Sequence, residues 1–159
     1  MGCGADVHTN EDESLISAIR SGYMEIAKCL IEHGADVDAH GSFPLIWCAM
    51  SGNLGTIKTL VKHGANIHAH SEQALRTAAA KGHLPIVKFL VSQGAYIHAE
   101  NDEALKNSAE NNYLKVVAYL IDQGADPRIA YEYGSEKLRS FLDANAGATG
   151  EKDAVVHRR

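Results

Sequence analysis

His33 to His40 reads HGADVDAH, and His63 to His70 reads HGANIHAH. Gln93 opens a third copy, QGAYIHAE, and Gln123 a fourth, QGADPRIA. Cys3-Gly4-Ala5-Asp6-Val7-His8 is a fragment of the same phrase, so a Gly-Ala pair stands at 4, 34, 64, 94 and 124. A spacing held at thirty residues without a slip marks a repeat array, in which each copy is one small structural unit.

Superposing the copies assigns each column a physical role. Leu15, Leu45, Leu75 and Leu105 share a column, as do Leu30, Leu60, Leu90 and Leu120, and Met24, Leu54, Leu84 and Leu114. Ile31, Val61, Val91 and Ile121 follow the second set. Ala18, Cys48, Ala78 and Ser108 form a small column, and Ala49, Ala79 and Ala109 another, broken by Ile19. Pro44 to Ser51 therefore reads as a first helix whose small residues let neighbours approach closely. Gly22, Gly52, Gly82 and Asn112 end that helix in the left-handed conformation. Leu54 to His63 reads as a second helix, with Leu54, Ile57, Leu60 and Val61 on one apolar face. His33 and His63 sit in its last turn, near the exposed carbonyls. Pro44 and Pro85 fall at helix starts, where a missing N–H costs nothing. Ala65 to His68 is expected to be extended and to turn into the next helix. Helices shorter than roughly 12–15 residues are marginal alone, so each pair must bury its face on the next. The fold expected is all-α, a solenoid of stacked helix pairs.

The totals exclude several function classes. A net charge of −5 provides no basic footprint for nucleic acid. No apolar run approaches the roughly eighteen residues of a membrane span. Cys3, Cys29 and Cys48 have no framework spacing, which fits a reducing compartment: the cytoplasm, with the nucleus open by diffusion.

Chemistry is sparse. His68, His70 and His98 are the sharpest metal candidates, since alternate residues of an extended segment point the same way. Two imidazoles without a third ligand close no zinc site, and the plain reading is an exposed polar edge. Gly2-Cys3-Gly4 resembles the start of a phosphate loop, but Gly4 already serves as a helix terminator. Cys29 and Cys48 fall on apolar helix positions and read as inert core residues. No catalytic residue, metal or cofactor is expected.

Helix, glycine, helix and then Gly34-Ala35-Asp36-Val37 resembles the ankyrin repeat, with Gly52-Asn53-Leu54 and Gly82-His83-Leu84 similar to its Gly-His-Leu step. The resemblance covers about residues 3–130. The usual period is about 33 residues with Thr-Pro-Leu-His opening the first helix. Here only Phe43-Pro44-Leu45-Ile46 echoes that opening, while Gln73-Ala74-Leu75-Arg76 and Glu103-Ala104-Leu105-Lys106 do not. The shortening falls in the finger between Ala39 and Leu45. This short form resembles the arrays of giant DNA viruses, most closely over residues 75–105.

The boundaries expected are one domain over 1–144: a repeat end at about 3–13, and repeats at about 14–42, 43–72, 73–102 and 103–132. A capping helix at about 135–144, with Leu138, Phe141 and Leu142 covering the stack, precedes a disordered tail over 145–159. Cys3-Gly4 begins in mid-repeat, so either the array is trimmed or the first full pair caps itself.

The resemblance implies protein–protein recognition by a monomer, through the concave face formed by fingers and first-helix ends. The fingers offer Asp38, His40, Ser42 and Phe43, then His68, His70, Glu72 and Gln73, then His98, Glu100, Asp102 and Glu103. The helix ends offer Arg20, Ser21, Met50, Ser51, Ala80, Lys81, Glu110 and Asn111. Phe43, Trp47 and Met50 would form an apolar patch, and Glu100, Asp102, Glu103 and Glu110 an acidic half. The partner expected is a protein with an apolar knob beside a basic patch. Trp47 admits two readings, structural or binding anchor. The rival function is an inert spacer, or a piece of a larger scaffold or ubiquitin-ligase adaptor, although residues 131–159 are too short and polar to supply a recruiting box. The resemblance also implies that the column of Asp38, His68, His98 and Arg128 could be a hydroxylase substrate.

Overall fold

The computed structural model describes residues 7–146, with side chains described from Asp12 to Asn145. The readings at Gly2-Cys3-Gly4, the start of the fragment at 3–13 and the tail from 147 lie outside the described residues. The described chain is helical, in five consecutive pairs: α1 (Val7–Arg20) with α2 (Met24–Glu32), α3 (Ala39–Ser51) with α4 (Leu54–Lys62), α5 (Ala69–Ala80) with α6 (Leu84–Ser92), α7 (Ala99–Glu110) with α8 (Leu114–Asp122), and α9 (Pro127–Tyr133) with α10 (Glu136–Ala146). None of them is long and apolar enough to cross a membrane.

The columns become the core. Leu15, Leu45, Leu75 and Leu105 are fully buried between the odd-numbered helices, with Ala49, Ala79 and Ala109 beside them. Leu60, Leu90 and Leu120 are buried, while Leu30 in the first pair is only half-covered. The odd-numbered helices carry the small columns, and they approach one another more closely than the even-numbered ones do. The row with the closer spacing lies inside the bend, so the stack curves toward its odd-numbered helices. Gly52 and Gly82 have φ of 81° and 74°, which favours glycine. They also leave room for the next repeat: a Cβ on Gly82 would lie 2.5 Å from the Tyr113 ring, and one on Gly52 2.8 Å from the His83 ring.

Two features differ from the expectations. Ile67-His68 is already a turn, so the extended stretch is confined to what precedes it, and the His68 N–H donates to Asn66 Oδ1 at 3.0 Å. The shortened finger then winds through a left-handed turn three times, at His40-Gly41-Ser42, His70-Ser71-Glu72 and Glu100-Asn101-Asp102, with φ from 50° to 71°. A left-handed residue other than glycine costs roughly 1–2 kcal/mol, so consecutive ones need compensation. It comes from the side chains. The Ser42 hydroxyl donates to Asp38 at 2.7 Å, and the His68 and His98 Nδ1 atoms lie 2.6 Å from Glu72 and Asp102. The His70 Nε2–H donates to Gly41 O at 2.9 Å, and the Arg76 guanidinium donates to Ser71 O and His70 O, both at 2.9 Å.

The last pair differs too. Residues placed by sequence at the end of a fourth repeat form α9, started by Pro127 and capped by the Asp126 carboxylate, which accepts from the Arg128 N–H at 3.0 Å. Leu138 of α10 is fully buried, with Phe141 and Leu142 half-buried against the core. At the other end, Cys29 is exposed, not a core residue. Where its column holds an aromatic ring, the preceding repeat's lysine lies over it: Lys58 is 5.8 Å from the Phe89 ring and Lys88 5.4 Å from that of Tyr119.

Candidate functional site

The side of the odd-numbered row that faces away from the even row is the candidate site. Residues four and seven apart share a helix face, so Phe43, Trp47 and Met50 of α3 lie in line, as do Gln73, Thr77 and Ala80 of α5 and Glu103, Asn107 and Glu110 of α7. The first of these lines is apolar. The Phe43 and Trp47 rings stack with centroids 5.3 Å apart, and the Arg20 guanidinium lies 5.4 Å from the Phe43 centroid. Both rings are half-buried, and Met50 is exposed at the end of the line. Ser51 turns its hydroxyl back onto Cys48 O at 3.4 Å.

Between α5 and α7 the face deepens into an open groove of about 220 Å³, lined by Gln73, Arg76, Thr77, Ala80, Lys81, Glu103 and Asn107. Four of the residues expected from the sequence meet here: Gln73, Ala80, Lys81 and Glu103. Arg76, Thr77 and Asn107 were not in that set. Arg76 is the central one: it bonds to Glu103 and to the Gln73 amide oxygen, besides the two turn carbonyls. Its sequence signal was a lone guanidinium in a column that reads Ile16, Ile46, Arg76 and Lys106. Asn111 donates from its side chain to Asn107 O at 2.8 Å, at the groove's far end.

The fingers are less open than the sequence suggests. Ser42, Glu72 and Asp102 were expected to face a partner, yet they are 4%, 5% and 9% exposed. The left-handed turn rotates its third residue under the finger, where each meets the residue four before it. Glu72 keeps one carboxylate oxygen buried with no partner among the described residues. Asp38 accepts from the Asn66 N–H at 3.0 Å and so ties one finger to the next. His40 lies 3.3 Å from Glu13, and the Tyr96 ring packs edge-on to His98 at 5.4 Å. His68 and His70 do not point the same way: one reaches Glu72 within its own turn, the other Gly41 of the preceding finger. No group of three potential metal ligands occurs among the described residues.

These bonds also change the charge of the face. Of the four acidic residues expected in the second half, Asp102 is buried against His98 and Glu103 is paired with Arg76. Glu100 and Glu110 remain exposed without a partner among the described residues. Elsewhere, burial pushes the Cys48 thiol up to about 12, which leaves it protonated and unreactive at neutral pH.

A family model described as ankyrin repeats (3 copies) matches residues 1–71 and 68–131. No curated protein matches the chain.

Proposed function

The chain belongs to the ankyrin-repeat family, whose repeats are generally protein–protein interaction modules, and on that premise we propose that it binds a partner protein through the inner face of its odd-numbered helices. One observation carries the reading. The stacked step of Arg20, Phe43 and Trp47 runs past Met50 along the same face as the α5–α7 groove. An apolar step beside a formed polar groove supplies desolvation in one place and orientation in the other.

The partner presents an apolar knob to Phe43, Trp47 and Met50. The basic patch expected from the sequence has fewer anions to meet, because only Glu100 and Glu110 stay unpaired.

The test is capture from a lysate by the wild type and by a Met50→Glu, Ala80→Glu double variant with unchanged circular dichroism. Proteins held by the first and released by the second support the inner face. The same set held by both, or by neither, favours an inert spacer.

A further inference from the structure

The charged residues of the α5–α7 groove do not balance. Its lining holds two cations, Arg76 and Lys81, and one anion, Glu103. Arg76 and Glu103 are paired, with their side chains 15% and 35% exposed. Arg76 has also committed donors to Ser71 O, His70 O and Gln73 Oε1. Lys81 is exposed, with no ion pair among the described residues. Beside it, Thr77 Oγ1 accepts from the Gln73 amide at 3.2 Å, which leaves the hydroxyl proton free to donate. The Asn107 side chain adds an amide NH₂. The groove therefore offers a cation and two neutral donors, and its own acid is already neutralised.

From this geometry we infer that the groove takes a carboxylate side chain of the partner, seated at Lys81 beside Thr77 and Asn107, while a neighbouring apolar side chain of the same segment rests on Trp47 and Met50. The inference rests on the proposed inner-face recognition and specifies its chemistry. It also reverses the local polarity expected from composition, because counting acids in the second half misses that Asp102 is buried and Glu103 is paired. The opposing charges are Glu110, one helical turn beyond Asn107 on α7, and Glu100 on the finger. Neither lines the groove. A carboxylate satisfies the three donors together, whereas a cationic side chain would face the unpaired Lys81 while the groove's one anion, Glu103, is held by Arg76.

The experiment is selection of linear peptides from a displayed random library on the folded wild-type chain. Peptides that combine Asp or Glu with a large apolar residue at fixed spacing are expected. Affinity for them should fall roughly tenfold in Lys81→Glu and by less in Lys81→Gln. Reselection on Lys81→Glu should return Lys or Arg where the acid stood, an exchange that mere loss of stability does not produce. Two results would overturn the carboxylate alone and leave the inner face standing. One is wild-type peptides without acidic enrichment that Met50→Glu nevertheless loses. The other is an acidic preference unchanged in Lys81→Glu. If no peptide is selected, or if neither substitution changes the selected set, the inner-face reading falls with it.

Discussion

The column of Asp38, His68 and His98 continues at Arg128, yet the chain takes two routes through it. At the first three positions the next residues wind left-handed, through His-Gly-Ser, His-Ser-Glu and Glu-Asn-Asp. At the fourth, the corresponding residues Ala130, Tyr131 and Glu132 lie inside the right-handed helix α9. Helix α9 still stacks on α7, so stacking a pair does not require the left-handed turn. What separates the two routes is side-chain chemistry. The internal turns have glycine, asparagine or a polar residue that can bond back to the column residue. In the fourth copy Glu132 stands where Ser42, Glu72 and Asp102 bond back, but Ala130 at the first turn position favours the right-handed helix, which Pro127 and the Asp126 cap have already started. Tyr131 spends its hydroxyl on Asp143 at 2.8 Å, and its carbonyl accepts from Arg139 at 2.8 Å.

The comparison can be broken or sharpened by substitution. The largest effect is expected from Ser71→Pro. Proline fixes φ near −65°, whereas Ser71 stands at 53°, and His70 before it would be strained too. A loss of about 3 kcal/mol or more in a urea titration is expected. Wild-type stability would show that the turn has a ready right-handed alternative, as at Pro127.

A smaller effect is expected on the other route. Asp126→Ala removes the cap of α9 and should cost about 1 kcal/mol at neutral pH. The hydrogen bond from the Arg128 side chain, and then that from its backbone, hold the Asp126 carboxyl below its usual 3.8. A depressed folded value means that the ionised carboxylate stabilises the fold above that range, and the contribution is lost as pH falls through the folded value. Melting temperatures of the two proteins should therefore differ at pH 7 and converge in acid. A gap that persists in acid beyond the titration of the Asp126 carboxyl would assign the loss to packing.

The smallest effect is a gain. Ser71→Gly relieves the left-handed strain but adds freedom to the unfolded chain, so a net stabilisation of about 0.5 kcal/mol is expected. Thermal melts that show destabilisation would mean that the serine side chain itself holds the turn.

Much of this fold was legible in the columns. Leu75 is buried because its spacing places it on the face toward the next pair, and Gly82 is glycine because the helix must end left-handed beneath Tyr113. Helix α9 was not legible, because Pro127 reads equally well as a break and as a first helical residue. The candidate site was half legible. Phe43, Trp47 and Met50 could be aligned by helical spacing alone. Arg76 could not be identified as the hub of the groove, since its partners come from a finger and from the next repeat. Asp102 and Glu72 were misjudged for a related reason: alternation along an assumed extended finger says nothing about a left-handed turn.

The sequence by itself determined the period, the helix pairs, the buried columns and the close approach that small residues permit, because each depends on local spacing and side-chain size. Only the tertiary structure decided which polar residues face a partner. Their direction depends on the backbone of the turn and on bonds to residues roughly a repeat away, as between Arg76 and Glu103 or Asp38 and Asn66. Composition counts such charges as free, whereas packing pairs some of them and leaves Lys81 unpaired.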